Sequence, residues 1–105
     1  MNMPISDIQV KNNWIEVIDT EGKEVSAMLA SDKKIIAVGT EFFIVQSGDW
    51  IETYNIQCMK IGSLFAFNKK VQAANYSTFT VLHGGWLVTY NKNCEKINSC
   101  IIGEN

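Results

Sequence analysis

The sequence predicts an all-β protein made of three 36-residue repeats, each a small antiparallel sheet of four strands. Three observations predict this fold class. Tryptophans stand at positions 14, 50 and 86, so the same 36-residue spacing occurs twice. Val, Ile, Thr and aromatic residues recur in short runs between clusters of Asn, Gly, Asp or Lys, as in strands and turns. No apolar series follows the 3.6-residue period over a length that would predict a helix.

The repeats divide residues 1–105 as one domain with copies at 5–40, 41–76 and 77–105. The second and third copies share eleven identical residues over 29 aligned positions. The first copy is more divergent. A single domain suits this chain length.

The middle repeat predicts the strand bounds of each copy. Its four strands are expected at Glu41–Gln46, Trp50–Tyr54, Lys60–Ala66 and Lys70–Asn75. The predicted strands are apolar on both faces, whereas a sheet with one face in water shows clean polar alternation. We therefore expect each sheet to be covered on both sides.

The turn between the second and third strands has a repeated pattern. It begins with a residue whose side chain can accept hydrogen bonds from the turn backbone: Asp19, Asn55 or Asn91. Three residues later the copies carry Gly22, Cys58 and Cys94. If this position needs a positive φ, each cysteine costs about 1 kcal/mol or more.

Composition excludes several functions. Nine basic and eleven acidic residues give a net charge of −2, which lacks the basic footprint of a nucleic-acid binder. The apolar runs are too short for a membrane-spanning helix. The first residues, Met1 to Asp7, have neither a basic start nor an apolar stretch, which predicts a cytoplasmic protein with reduced cysteines.

Four-stranded antiparallel units of fixed period resemble the blades of a β-propeller. The segment from Trp14 to Val25 looks like the inner hairpin of many propeller repeats. Three blades cannot close a ring, because propellers have four to eight. The third copy also ends before an equivalent of 70–75, which predicts one incomplete sheet with an unpaired edge. The resemblance therefore implies a homo-oligomer, with a dimer of six sheets favoured.

The alternative architecture is a threefold β-prism, similar to the monocot mannose-binding lectins. Those proteins have three repeats in about this length, and their sugar motif runs Gln-x-Asp-x-Asn-x-Val-x-Tyr. Gln46 and Tyr54 keep the spacing of its ends. Between them, Gly48, Trp50 and Glu52 occupy the Asp, Asn and Val positions of the motif. In the third copy, Leu82 replaces the Gln. The sugar-binding polar groups of that family are therefore missing.

The candidate ligand-binding residues are Trp14, Trp50, Trp86, Glu16 and Glu52. Indole faces stack on flat apolar ligands such as sugars, and a carboxylate beside them can accept hydrogen bonds. The competing interpretation treats the tryptophans as packing residues, repeated because the sheet is repeated. Glu16 and Glu52 would then lie at a rim or pair with a lysine such as Lys60.

No catalytic or metal site is predicted, and no cofactor. His83 is the only histidine and lies in a turn, while the repeat places Cys94 at the other end of the sheet. No His/Cys cluster has metal-ligand spacing. Cys100 replaces Met28 and Leu64, which predicts a buried thiol.

Repetition without an acid–base or metal constellation predicts a non-enzymatic binding or assembly module. Protein–protein interaction through self-assembled repeats is the favoured function. Carbohydrate binding by Trp and Glu at grooves between repeats is the alternative.

Overall fold

The computed structural model describes residues 4–102, which form eleven strands and no helix. Positions 1–3 and 103–105 of the predicted domain lie outside the described residues. The strands are β1 Ile5–Lys11, β2 Trp14–Asp19, β3 Glu24–Leu29, β4 Lys33–Val38, β5 Phe42–Ser47, β6 Trp50–Asn55, β7 Lys60–Phe65, β8 Lys69–Ala74, β9 Thr78–His83, β10 Trp86–Asn91 and β11 Lys96–Ile101. The all-β class is confirmed, and the predicted strands of the middle repeat agree with the structure to within a residue.

The strands form three antiparallel sheets. Sheet A has the order β1-β2-β3, sheet B the order β4-β5-β6-β7, and sheet C the order β11-β10-β9-β8. Sheets B and C have four strands, and sheet A has three among residues 4–102. The incomplete sheet is therefore the first one, whereas the sequence placed it last.

This difference arises because sheets B and C each begin with the strand that the alignment placed last in the preceding repeat. The connection from β3 to β4 is short, with Lys33 N–H donating to Ala30 O and Asp32 in the left-handed region at φ 58°. It has the length of a hairpin turn, yet it crosses to the next sheet. The equivalent crossing from β7 to β8 has Asn68 at φ 58°. A 36-residue period fixes the spacing of units but not where a unit begins.

Each hairpin between the second and third strands closes in the same way. Oδ1 of Asn55 accepts hydrogen bonds from the backbone N–H groups of Gln57 and Met59 at 2.9 and 3.0 Å. Asp19 and Asn91 accept the corresponding pairs in the other sheets. The predicted turn role of these residues is confirmed.

The glycine and cysteine position of this turn has a positive φ in every copy. The values are 81° at Gly22, 63° at Cys58 and 65° at Cys94. The two cysteines therefore carry the predicted backbone cost of about 1 kcal/mol or more each.

The sheets stack face to face, with sheet B in the middle. Cross-strand partners share a face, so the register assigns every side chain to one side. Phe43, Val45 and Tyr54 of sheet B pack on Ile15 and Val17 of sheet A. The opposite face of sheet B forms the second core with sheet C, through Phe42, Ile44 and Ile51 on one side and Phe79, Val81, Val88 and Tyr90 on the other.

Only sheet B is covered on both faces within residues 4–102, so the expectation that every sheet is covered on both sides is wrong for sheets A and C. The outer face of sheet A carries Asp7 and Gln9 where sheets B and C carry Phe and Val. The outer face of sheet C carries Thr78 and Thr80 where sheet B carries Phe42 and Ile44. Cys100 lies on this outer face and is exposed, which corrects its predicted burial.

Neighbouring sheets are also linked through their backbones. Ile5 N–H donates to Thr40 O at 2.8 Å, and one repeat later Glu41 N–H donates to Tyr76 O at 3.1 Å. The same step therefore relates A to B and B to C. This regular stack is compatible with both a propeller-like and a prism-like arrangement. None of the described residues belongs to a helix that could cross a membrane.

Candidate functional site

The three tryptophans occupy equivalent surface positions. Trp14, Trp50 and Trp86 have relative exposures of 44, 48 and 46%. Each is the first residue of its strand, after a two-residue turn that uses positive φ at Asn12 and Asn13, at Gly48, or at Gly84. The indoles are therefore repeated at the rim of the sheets and not in their cores.

Each indole has an exposed apolar neighbour on the next strand. These cross-strand partners are Leu29, Phe65 and Ile101. The ring centroids of Trp50 and Phe65 lie 5.6 Å apart in an edge-on arrangement. The three Trp and partner pairs together are called the indole rim below.

Glu52 is already engaged inside the protein. Its Oε1 accepts a hydrogen bond from the Tyr54 hydroxyl at 2.8 Å, and its Oε2 lies 3.7 Å from Lys60 Nζ. Burial, together with the hydrogen bond to Glu52, raises the pKa of Tyr54 well above its ordinary value. Tyr54 therefore stays protonated and donates to this carboxylate at neutral pH.

Glu16 has different surroundings. It lies on the outer face of sheet A beside Trp14 and is half-buried. The third copy has Val88 at this position, and Val88 is buried at 5% exposure. The two predicted glutamates thus share a register position but not an environment.

A groove of about 230 Å³ lies beside the third tryptophan. It is lined by His83, Trp86, Val88, Lys96 and Ser99. Trp86 is the cross-strand partner of His83, and Val88 is that of Ser99, so these four side chains lie on one face of sheet C. The groove combines an aromatic wall, an apolar floor and two nitrogen-bearing side chains.

A wider depression of about 500 Å³ lies where the first strands of the sheets approach one another. It is lined by Ile5, Ser6, Asp7, Val38, Gly39, Thr40, Ala74, Asn75 and Tyr76. Gly39 is required here, because a Cβ at this position would lie 2.3 Å from the carbonyl oxygen of Asn75. The depression is bounded by the edge of β1, the first strand of the three-stranded sheet.

The thiols of Cys58 and Cys94 face the neighbouring sheets. Cys58 Sγ lies 3.3 Å from Ser26 Oγ, and Cys94 Sγ lies 3.7 Å from Thr53 Oγ1. Burial raises the pKa of both thiols, and the hydrogen bonds to the hydroxyls oppose only part of this rise. A thiol with a raised pKa is a poor nucleophile at neutral pH. Among the described residues, no group of three or more His, Cys, Asp or Glu is placed to hold a metal ion.

Comparison with known proteins assigns no function to these surfaces. No protein-family model matches the chain, and no curated protein has a sequence similar to it.

Sequence reasoning singled out the tryptophans and glutamates but missed the groove beside Trp86. His83, Lys96 and Ser99 lie three or more residues from Trp86 in the sequence, and only the strand register brings them together. His83 is the last residue of β9, which corrects its predicted place in a turn. One signal was available. The alignment shows Val88 in place of Glu52 while Lys96 matches Lys60, which leaves a lysine without its repeat partner.

Proposed function

We propose that this protein is a non-enzymatic assembly module whose stack of sheets is continued by a second copy. In this proposal the outer face of sheet C in one copy packs on the outer face of sheet A in the other. The observation that supports it is the repeated contact between successive sheets. Within residues 4–102, the outer faces of sheets C and A carry the two halves of that contact with no sheet packed on them.

The contact contains one hydroxyl group that donates to a turn carbonyl of the following sheet. Ser26 Oγ donates to Ile56 O, and Thr53 Oγ1 donates to Lys92 O at 2.6 Å. Positions 56 and 92 are equivalent. The hydroxyl comes from one member of an equivalent cross-strand pair in each sheet. Sheet A has the pair Val17 and Ser26, and the serine donates. Sheet B has the pair Thr53 and Gly62, and the threonine donates. In sheet C the equivalent pair is Thr89 and Asn98, and both members are polar.

Side-chain volumes also match across this contact. A Cβ at Gly62 would lie 2.6 Å from the carbonyl oxygen of Asn93 and 2.8 Å from Cys94 Sγ, so glycine is required at this position in the contact between sheets B and C. The end faces reverse this pairing. Asn98 takes the place of Gly62, and Gly22 takes the place of Cys94, with no atom within 4 Å of a Cβ built on it. In the proposed contact, the larger side chain of Asn98 would therefore face Gly22, which has no side chain.

The polarity of the two end faces is matched as well. Internal contacts pair apolar with apolar residues, whereas the end faces carry Asp7 and Gln9 on sheet A and Thr78 and Thr80 on sheet C. Threonine hydroxyls can donate to a carboxylate or an amide oxygen. On the sheet C face, Leu82 pairs with Leu87 and supplies apolar area.

This head-to-tail contact has consequences for stoichiometry. A heterologous contact forms a ring if its rotation closes and a filament if it does not. Two copies would bring six sheets together, which lies within the four to eight blades of propellers. We therefore propose a dimer with two identical contacts.

Directed disulfide formation tests the proposed contact. In a Cys100→Ser background, the pair Gly22→Cys and Asn98→Cys places thiols at positions equivalent to Cys58 and Ser26, whose side-chain atoms lie 3.3 Å apart. A cysteine is tolerated at position 22, because Cys58 and Cys94 adopt the same φ region. We expect a covalent dimer on a non-reducing gel after mild oxidation.

The control pairs Met59→Cys with Asn98→Cys in the same background. Met59 is 60% exposed in the turn of sheet B and lies outside both end faces. A cross-link of equal yield in the control, or a monomeric product from the Gly22 and Asn98 pair, would overturn the proposed contact.

Carbohydrate binding is a second candidate function, supported by the half-exposed indoles of the indole rim. Exposed indole faces can stack on the apolar faces of sugar rings. A glycan array would be expected to show hits that are lost in a variant with all three tryptophans replaced by alanine. An array without hits, together with unchanged Trp fluorescence on adding sugars, would exclude this candidate.

A further inference from the structure

The three members of the indole rim differ in the charges beside them. In sheet B, Lys60 forms an ion pair with Glu52 at 3.7 Å, so the lysine beside Trp50 is neutralised. In sheet C, Lys96 stands at the position of Lys60, but Val88 replaces the glutamate. Lys96 forms no ion pair with any carboxylate of the described residues 4–102.

The surroundings of Lys96 keep its charge available. The adjacent residue, Glu95, is held in the turn, where its Oε1 accepts a hydrogen bond from Asn91 Nδ2 at 2.9 Å. On the opposite side of the groove His83 pairs across the sheet with Lys69, which adds a second cationic side chain to the same face. The Trp86 groove is therefore basic.

The equivalent position in sheet A has the opposite character. Glu24 stands in the place of Lys96, and Glu16 in the place of Val88, with Lys11 as the single cation. At the positions of Glu52 and Lys60, sheets A, B and C thus carry two glutamates, an ion pair, and a lysine beside a valine. Of these three, the Trp86 groove has a lysine with no carboxylate at the position opposite it.

The shape of this groove limits the ligand. Its volume of about 230 Å³ is below the range of pockets for drug-sized molecules, so it suits a single ring. Trp86 is 46% exposed and offers a ring face, while the nearly buried Val88 forms an apolar floor. Ser99 supplies a hydroxyl that can donate to, or accept from, a substituent on the ring.

We propose that the Trp86 groove binds a carboxylate carried on a six-membered ring, with the ring stacked on the indole and the carboxylate held by Lys96 and His83. This inference rests on the second candidate function, carbohydrate binding by the indole rim. It assigns the binding to Trp86 and specifies the class of ligand. A uronic acid and an aromatic carboxylate share this chemistry. Charge-assisted hydrogen bonds from Lys96 would add to the stacking energy of the ring.

Nuclear magnetic resonance of the full chain tests the proposal, because the indole N–H signals of Trp14, Trp50 and Trp86 report separately. The probes are glucuronate, benzoate, glucose and acetate. We expect glucuronate to shift the Trp86 signal in a saturable titration, with at least a tenfold weaker effect of glucose and acetate. The response to benzoate distinguishes an aromatic ligand from a sugar.

Two matched variants exploit the repeat. Val88→Glu installs the residue of sheets A and B and is expected to pair with Lys96, which should weaken the glucuronate response at least tenfold. Glu52→Val releases Lys60 and is expected to make the Trp50 signal respond as well. Because Glu52→Val gains a response, the proposal stays testable even if Val88→Glu fails to fold.

The outcomes separate the inference from the function on which it rests. Equal responses of all three indoles to glucose and glucuronate would support carbohydrate binding and overturn the selective anionic site. A response to acetate as strong as that to glucuronate would overturn the ring requirement. If no probe shifts any indole and Glu52→Val changes nothing, the ligand site is overturned, and a glycan array without hits would remove the carbohydrate function too.

Discussion

Sheet B and its two neighbours have the same repeated strands, but equivalent positions differ in burial and polarity. In sheet B, Phe43 and Ile44 are fully buried because a sheet covers each face. At the matching positions, sheet A has Asp7 on its outer face and sheet C has Thr80 on its outer face. The terminal units of repeat proteins likewise carry a polar outer face, because no neighbouring unit of the same chain covers it. The comparison shows that position in the stack, and not position in the repeat, determines which side chains form the core.

Truncation of equivalent residues should have the largest effect. Phe43→Ala removes a ring that stacks on Tyr54 with centroids 5.6 Å apart in the first core, and we expect a loss of about 3–5 kcal/mol in the free energy of unfolding. Asp7→Ala, at the equivalent position in sheet A, should cost less than about 1 kcal/mol in dilute protein, where the proposed contact between copies is dissociated and Asp7 is exposed. Urea unfolding followed by circular dichroism measures both values. Similar losses for the two variants would mean that the outer face of sheet A is as deeply buried as the core.

The hairpin turns should show intermediate effects that recur in every sheet. Asn55→Ala removes both hydrogen bonds accepted by Oδ1, and we expect a loss of about 1–2 kcal/mol. Asn55→Asp keeps the acceptor, as Asp19 does in sheet A, and serves as the matched control. Equal stability of the alanine and aspartate variants would show that the side-chain bonds do not stabilise the turn.

Alkaline pH should lower the free energy of unfolding through the partly buried thiols of Cys58 and Cys94. Burial raises the pKa of Cys58 and Cys94 in the folded state, so the unfolded chain loses these protons first as pH rises. Their contribution to stability is therefore complete below the ordinary thiol pKa of about 8.5 and declines above it. Urea unfolding between pH 7.5 and 10 should show a shallower decline in Cys94→Ala than in the natural chain. Cys100→Ala is the control, and a decline altered equally by both substitutions would contradict this account.

The sequence alone predicted the all-β class, the strand bounds of the middle repeat and the shared turn chemistry. Tryptophan spacing and the Asx residues are local signals, and they required no knowledge of how sheets are covered. The sheet to which 33–38 belongs could not be read from the period, because the turn at Asp32 has the length of a hairpin but crosses between sheets.

The candidate site was predicted only in part. The tryptophans and glutamates were visible as repeated residues, but the partners of Glu52 and the free charge of Lys96 depend on the register between strands. Cys100 looked buried by analogy with Leu64, yet no sheet covers it within residues 4–102. Sequence repetition shows which residues are equivalent, while exposure depends on what packs against each copy.

The most direct test of the central claim is the mass of the natural chain in solution, measured by light scattering across a range of concentrations. If the outer face of sheet C packs on the outer face of sheet A in a closed pair, the mass should be twice the 11.8 kDa of the chain. It should fall toward the single-chain value in Leu87→Glu, which places a charge on the outer face of sheet C, and stay unchanged in Met59→Glu. A mass of 11.8 kDa at every concentration would contradict the proposed assembly and leave sheets A and C as the capped ends of a monomer.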